Sequence, residues 1–578
     1  MFFLKPQQSM KHLLLLVIAT LVAISASAAV SLEVSTTSGV DSTTIFYRDA
    51  PAGACISVHK HPSVLAMRPE ITVGEHGKFG MVTFALDPGT YTATCTSADG
   101  STLAAKQFSI AEPKVSGTRI VVLSDTHTLA PSLIKQDGKA LQSAENGDFK
   151  LVRQSAEVLT SLIDSIKAMR PALVLITGDL TYNGEAAAHQ FVASQLQALD
   201  QAGIKCLVIP GNHDCNNPYA HYFDGDKTTP TPTVTRAQFA QIYSHAGYGE
   251  GSQRDTASLS YACEPIEGLV VIGIDSNRDE ENRLTSRGDS SDLYHNAGRV
   301  KPQTLAWVAQ QAQAAHRQGK RVIAMMHHHL LEHFDKEADL TPNYIVAAHD
   351  TVADALMHCG ISAVLTGHFH ATDIARAHNA SGTDSIFDIA TGSAVTYPNY
   401  WRVLTLAPDG QLSVATRQLT ATPSCPQLQA TSRQTIEHNA PAIMRSMTSR
   451  MWPKLQGKIK RIPFAGQLLK LPDNSADMAD TLITRFGGMA AQAYLTFLEG
   501  NEGQKATDAL ISAGKAEIND YASAVTRRII RGKVLSMLSK SVMPRIEPLI
   551  ISVLHDVNAA DTTHPSVTND LFLTLPLK

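Results

Sequence analysis

Five short polar segments carry the side chains best suited to chemistry, and each directly follows an apolar run. Ile120–Leu123 leads into Ser124, Asp125, Thr126 and His127, and Leu173–Ile176 into Thr177, Gly178 and Asp179. Leu207–Ile209 leads into Pro210, Gly211, Asn212, His213 and Asp214. Val322–Met326 leads into His327, His328 and His329, and Val364–Leu365 into Thr366, Gly367, His368, Phe369 and His370. Imidazole, carboxylate and amide oxygen without thiolate form a donor set for Zn, Fe, Mn, Ni or Co, not for Cu(I) or an iron–sulfur cluster. Asp125 and His127 can clasp one ion, while His368 and His370 can each send an imidazole to a different one. A carboxylate such as Asp179 has two oxygens and can bridge ions about 3.5–4 Å apart, the separation two-metal hydrolases use. Glycines at 178, 211 and 367 permit the sharp turns that aim these groups inward.

Such residues meet only if the apolar runs are neighbouring strands. Further runs at Leu269–Ile274, Ile386–Ile389, Trp401–Leu406 and Leu412–Thr416 also read as strands, with helical patterns over Phe149–Met169, Glu185–Leu199 and Pro302–Gln318 between them. That alternation predicts an α/β domain with buried strands. In open α/β sheets sites form at the carboxyl ends of strands, so five such ends bearing Asp, Asn or His predict one shared metal cluster. Asn277 is a further candidate for the same cleft, and His189 and His333 are candidates for positions behind the ligands.

Asp125-x-His127, Gly178-Asp179, Gly211-Asn212-His213-Asp214, a histidine after a later strand, and Gly367-His368-x-His370 together resemble the signature of the calcineurin-like metallophosphoesterases. The resemblance covers roughly residues 117–420. Each block alone is weak; five in order, each after a predicted strand, are specific. The resemblance implies an α/β fold of the metallophosphoesterase type, a β-sandwich flanked by helices. It implies two divalent or trivalent metal ions (Mn, Fe, Zn or similar), the first held by Asp125, His127 and His370, the second by Asn212, His327 and His368, with Asp179 as the bridge. His327 is favoured in its run because relatives place the ligand directly after the strand; His328 is the alternative. His213 is expected beside the substrate phosphate as proton donor or charge stabiliser, with Asp214 behind it holding the ring.

The implied activity is hydrolysis of phosphoric esters, diester or monoester, by a metal-bound hydroxide and without a Ser or Cys nucleophile. The consecutive histidines resemble cyclic-nucleotide and glycerophosphodiester phosphodiesterases more than protein phosphatases. The alternative from another class is a secreted binding or adhesion protein on an inactive metallophosphoesterase scaffold. Gly178-Asp179-Leu180-Thr181-Tyr182 also fits a purple acid phosphatase motif in which the tyrosine binds iron. Those enzymes have Asp-x-Gly in the first block, whereas His127 fills that place here, so Tyr182 is expected near the pocket but off the metal.

The rest of the 578 residues frame this domain. Hydrophobic residues make up 44%, enough for several cores, and a net charge of −4 excludes a whole-protein nucleic-acid footprint. Lys5, Lys11 and His12 precede the apolar Leu13–Ile24, and Ala26, Ser27 and Ala28 follow it. The pattern predicts a cleaved signal peptide over residues 1–28, hence a secreted or periplasmic protein. Residues 31–112 read as a small Ig-like β-sandwich in which Cys55 and Cys95 are expected to pair. Residues 421–578 read as a helical region with helices over Ala476–Leu498, Gln504–Ile511 and Lys515–Leu538 and proline-containing breaks elsewhere. Its acid-free basic segment, Arg445–Arg461, reads as a solvated helix face, with membrane-surface contact as the sharper alternative.

Overall fold

The computed structural model describes residues 30–36, 42–60, 71–72, 79–85, 89–110, 116–282, 295–461, 469–500, 504–537, 540 and 572–578. The segment read as a signal peptide lies outside the described residues. The chain divides into two compact units, Met1–Lys114 and Val115–Lys578. No described helix is long and apolar enough to cross a membrane.

The first unit is all β. Ser31–Thr36, Ser42–Arg48 and Phe79–Ala85 form one sheet; Ile71–Thr72, Cys55–Lys60, Gly89–Thr96 and Thr102–Ile110 form the other. Alternating side chains, among them Ile45, Ile56, Val58, Tyr91, Ala93 and Cys95, make its core. The expected Cys55–Cys95 disulfide is not formed. The register explains it. Cys95 lies opposite Ile56 and shares its face, so Cys55, one residue away, points to the other side of the sheet.

The second unit is built on two mixed sheets. The first contains β1 (Thr118–Leu123), β2 (Leu173–Ile176), β3 (Lys205–Val208), β10 (Tyr400–Leu406), β11 (Gln411–Gln418) and β12 (Phe572–Pro576), in the order β3-β2-β1-β10-β11-β12. The second begins at Gln253–Arg254 and continues through β4 (Tyr261–Ile266), β5 (Leu269–Ile274), β6 (Arg321–Met326), β7 (Ala363–Thr366), β9 (Ser385–Ala390) and β8 (Asp373–His378), in that order. One continuous core joins the sheets: Val121, Val174 and Val208 from the first sheet with Ile272, Ile323 and Leu365 from the second. Helices α1 (Ser155–Met169), α2 (Ala186–Asp200), α3 (Pro302–Arg317) and α4 (His349–His358) flank it with their buried faces. This is the calcineurin-like sandwich architecture, with the β-rich region before it and helices after.

Register decides where the loops emerge. β1, β2 and β3 run parallel with Leu123, Ile176 and Val208 level with one another. β5, β6, β7 and β9 run parallel with Ile274 level with Met326, Met325 with Leu365, and Thr366 with Ala390. The loops after Leu123, Ile176, Val208, Met326 and Thr366 therefore leave the sheets at matching heights.

The carboxyl-terminal region holds α5 (Leu428–Lys460), α6 (Ser475–Glu499) and α7 (Gln504–Val525). The proline-containing stretch read as broken is helical: α5 runs through Pro441 and Pro453. Each proline removes one backbone hydrogen bond. Packing along α6 compensates, with Trp452 buried, Arg445 paired to Asp480 at 2.5 Å and Gln456 donating to the Asp473 carbonyl. Met447, Met451 and Leu455 lie exposed on α5, as do Arg450, Lys454 and Lys458. Phe572–Pro576, placed with the helical region on sequence, returns as the antiparallel edge strand against β11.

Candidate metal centre

Each strand end delivers its polar residues through a backbone that only a fixed loop would hold. Asp125, His127, Asp179, His368 and His370 all have positive φ, between 36° and 68°. Non-glycine residues adopt this region at an energetic cost, and such strain collects where side chains must be aimed. Gly367 sits so close to the β1 loop that a Cβ there would collide with Ser124 Oγ and Asp125 Oδ2. That approach lets the His368 N–H donate to Asp125 Oδ2 at 2.9 Å, joining the two sheets at the site.

The seven residues assigned to metal binding converge. Asp125, His127 and His370 form one triad of donor atoms; Asp179, His327 and His368 form another; His127, Asp179 and His213 form a third that links them. Asp179 Oδ2 is 3.4 Å from His127 Nε2 and 3.4 Å from His327 Nε2, between the two groups. Asp179 Oδ1 accepts the His213 backbone N–H at 2.8 Å. Asn212 Oδ1 is 2.9 Å from His327 Nε2, on the second triad. Apart from His213 and His370, these side chains are buried.

Ring contacts fix the tautomers. His327 Nδ1 donates to the Thr177 carbonyl at 2.8 Å, so Nε2 is the atom that faces Asp179 and Asn212 and would meet a metal. His368 Nε2 donates to the Asn343 carbonyl at 3.0 Å, which leaves Nδ1 for the centre. Donation from the second nitrogen to a backbone carbonyl is the usual arrangement behind a metal-ligating histidine. His328 differs: Nδ1 is 2.8 Å from Ser276 Oγ and Nε2 is 2.7 Å from the Asn296 carbonyl. His327 belongs to a donor triad with Asp179 and His368, whereas the nitrogens of His328 face Ser276 and Asn296, outside any triad found among the described residues.

Electrostatics follow the same division. Burial, then the neighbouring rings, push His368 well below the ordinary histidine value. Burial and the positive charge of Lys150 do the same to His127. Despite burial, His327, His213 and His127 hold Asp179 well below the ordinary carboxylate value. Neutral imidazoles at His127 and His368 beside an ionised Asp179 suit metal ligation, whereas at His327 burial is outweighed by Asp179, which raises it to about 9, so a cation there would displace a proton. Asp125 Oδ1 is buried with no hydrogen-bond partner, 3.7 Å from His127 Nε2 and 3.4 Å from His370 Nε2. A buried carboxyl oxygen without a donor, set between two ring nitrogens, is the arrangement a cation resolves, and the donor set fits a hard or borderline ion.

His213 stands at the edge, its ring edge-on to His127 at 4.7 Å and its Nε2 4.0 Å from Asp179 Oδ2. Its Nδ1 faces the Tyr182 carbonyl at 2.8 Å and Asn183 Oδ1 at 3.1 Å. The expected support from Asp214 takes another form. Asp214 accepts from Gly211 N (2.8 Å), Leu180 N (3.1 Å), Thr181 N (3.0 Å) and Thr181 Oγ1 (2.8 Å). It therefore clamps the β2 and β3 loops together, while Tyr182 and Asn183 orient the ring. Burial and nearby Asp179 raise Asp214 to about 7.

Sequence-selected residues behind the site also find places. His189 Nε2 lies 2.8 Å from the Asp214 carbonyl and Nδ1 3.0 Å from Tyr243 Oη. Asn277 donates to the Pro210 carbonyl at 2.7 Å, bracing the loop that carries Asn212. His333 lies between Asp373 and Asp388, and Asp388 accepts the Leu330 and Leu331 N–H groups just beyond the histidine run. Tyr182 packs its ring against Phe223 and His221, and burial raises its phenol. Sequence reasoning missed Ser393, which donates to the Asp125 carbonyl at 2.8 Å, and Thr396, 3.3 Å from His370 Nδ1. It also missed Asn343 and the Asp148–Lys150 pair; these sit in irregular segments with no motif to mark them.

Residues 118–372 match the family described as calcineurin-like phosphoesterase, a span containing all seven residues. Among solved structures the chain is similar to a dimetal phosphatase from Danio rerio, at 14% identity and TM-score 0.35, over 52% of this chain and 96% of that one. It is also similar to the sulfate thiohydrolase SoxB of Thermus thermophilus, at 11% identity and TM-score 0.26, over 57% of this chain and 61% of the other. A polysaccharide deacetylase from Bacillus cereus follows at 12% identity and TM-score 0.14, covering 37% and 66%. No curated protein matches the chain. Residues 118–372 thus have a calcineurin-like metallophosphoesterase superfamily fold with candidate dinuclear metal-binding triads.

Proposed function

We propose that this chain is an exported hydrolase of phosphoric esters that works with two metal ions. The observation that carries the reading is the place of Asp179, whose Oδ2 stands equidistant from His127 and His327, one from each triad. A single carboxylate oxygen between two complete donor sets is what a dinuclear centre needs and a one-ion site does not. Asp125, His127 and His370 would hold one ion, Asn212, His327 and His368 the other, and Asp179 both. Such a pair of bound cations would supply Lewis acidity toward the phosphoryl oxygens and make a water acidic enough to attack near neutral pH.

The protein's own part is orientation and proton transfer. His213 is aimed by the Tyr182 carbonyl through Nδ1, so Nε2 is the atom that meets substrate. Burial pushes its pKa down while Asp179 pulls it up, and the net displacement is downward. At rest Nε2 therefore carries no proton; the negative charge of a bound phosphoester favours the imidazolium, whose Nε2 proton, taken from solvent, then passes to the departing alkoxide oxygen. Asp214 keeps Asp179 and His213 in register by binding both of their loops. Export rests on the amino-terminal sequence pattern alone.

The rival, a binding protein on an inactive scaffold, has no use for a fully furnished pair of triads. Purified protein loaded with Mn or Zn and assayed on mono- and bis-nitrophenyl phosphate decides between them. The proposal expects turnover that chelation abolishes and Asp179→Asn suppresses. Two bound metals without turnover of any phosphoester would favour the rival.

A further inference from the structure

Helical periodicity extends over Phe149–Met169, yet α1 begins only at Ser155. The residues before it form an irregular segment tied to the first metal triad. Leu151 N donates to the Val395 carbonyl at 2.8 Å, and the next residue, Thr396, contacts His370 Nδ1. Ser155 Oγ accepts from Leu129 N at 2.9 Å, in the stretch that follows His127. Lys150 N donates to Asp148 Oδ1 at 3.1 Å, closing a turn that sets the two side chains together. Lys150 Nζ then lies 2.9 Å from Asp148 Oδ2, with the side chains 13% and 24% exposed.

A charged pair so little exposed is a poor way to stabilise a fold, because desolvation consumes most of the attraction. Its position gives it another use. The ligand carboxylates are closed off from solvent, while His370 (15%) and His213 (21%) keep some exposure, and Lys150 and Asp148 share that range. Lys150 lies within electrostatic reach of His127, His213 and Asp179, and Asp148 within reach of His370. Burial works against the ammonium, but Asp148 and then Asp179 hold its pKa above the ordinary lysine value. Aromatic rings wall the same side. Phe149 packs on Tyr494 of α6 at 4.9 Å, Tyr344 covers His368 at 4.8 Å, and Phe369 meets Phe497 of α6 at 5.1 Å.

We infer that Lys150 is a substrate-binding residue that donates to a terminal phosphoryl oxygen at the mouth of the metal centre, and that the site is matched to phosphomonoester dianions. The inference rests on the phosphoester reading above and narrows it. An ammonium has three donors and Asp148 takes one. A monoester offers three terminal oxygens and two charges; a diester offers two and one. With two cations and His213 already served, a diester would turn an esterified oxygen toward Lys150 and leave a desolvated donor unmet.

The test compares wild type, Lys150→Gln, Lys150→Arg and the paired change Asp148→Asn with Lys150→Met, which removes both charges should Gln alone impair folding. Each is measured on mono- and bis-nitrophenyl phosphate, and its metal content and affinity for inorganic phosphate are determined. Loss of the ammonium should lower monoester kcat/KM about ten- to a hundredfold while diester kcat/KM changes less than about threefold. Phosphate affinity should fall in parallel, metal content stay at the wild-type value, and Arg restore part of both. Equal losses on the two substrates, or undiminished phosphate affinity, would overturn the inference. Wild type that turns over neither substrate would instead overturn the phosphoester reading.

Discussion

The Nε2 atoms of His127 and His370 face each other across 2.9 Å although 243 positions separate them in the chain. The stranded Asp125 Oδ1 completes the group. One proton between the rings serves two of these atoms at most, whereas one cation serves all three. Asp125→Ala should therefore lower metal content toward one ion per chain and remove most activity, with the secondary structure kept in circular dichroism. Unchanged stoichiometry would show that the triad is not a binding site.

The neighbouring histidines of the run should separate cleanly. His327→Gln removes a donor facing Asp179 and should lower kcat at least about a hundredfold along with the metal content, as when a residue of a cooperating unit is lost. His328→Gln breaks contacts to Ser276 and Asn296 and should lower stability by about 1–3 kcal/mol while keeping both ions. Metal analysis and denaturant unfolding of the two variants check this. The His-His run, which on sequence resembles phosphodiesterases, thus has only one histidine at the centre.

His213→Asn should lower kcat about 10²–10⁴-fold on alkyl phosphates, whose leaving group needs a proton. On nitrophenyl phosphate, which leaves as a stable phenolate, the loss should be far smaller. A uniform loss across leaving groups would assign His213 to binding instead of proton donation.

His189 makes stability depend on pH. Burial depresses it to about 4 from 6.5, the Asp214 carbonyl only partly opposing. A depressed histidine is neutral in the folded state, so its contribution is complete above pH 6.5. It is lost as pH falls toward 4, where the unfolded chain takes the proton. The slope is up to about 1.4 kcal/mol per pH unit for this proton. Unfolding of wild type and His189→Gln between pH 7.5 and 5 should show a shallower dependence in the variant; equal slopes would contradict the assignment.

Tyr182 gives a spectroscopic check. Its ring packs on Phe223, so the iron-loaded protein should lack a tyrosinate charge-transfer band, and Tyr182→Phe should keep activity within a few-fold. A visible band lost in the variant would place the phenolate on iron.

What the sequence made legible was whatever repeats a local rule. Buried strands read as apolar runs, and metal donors stand where those runs stop; Leu173–Ile176 and Leu269–Ile274 end as expected. Tertiary contacts decided the remainder. Phe149–Gln154 has helical periodicity, but its backbone is held by Val395 and Asp148. The prolines of α5 look like breaks, but packing on α6 outweighs two lost hydrogen bonds. Cys55 and Cys95 have a plausible spacing, but strand register sends their side chains to opposite faces. Asp214 follows His213 directly, yet its carboxylate finds four donors in two loops and leaves the ring to Tyr182.

The most direct measurement is the metal stoichiometry of purified wild type and Asp179→Asn after equilibration with Mn or Zn, read together with phosphoester turnover. The account predicts two ions per chain in wild type, and in the variant a loss of metal together with activity. One ion or none in an active wild type, or full metal content and full turnover without the Asp179 carboxylate, would contradict it.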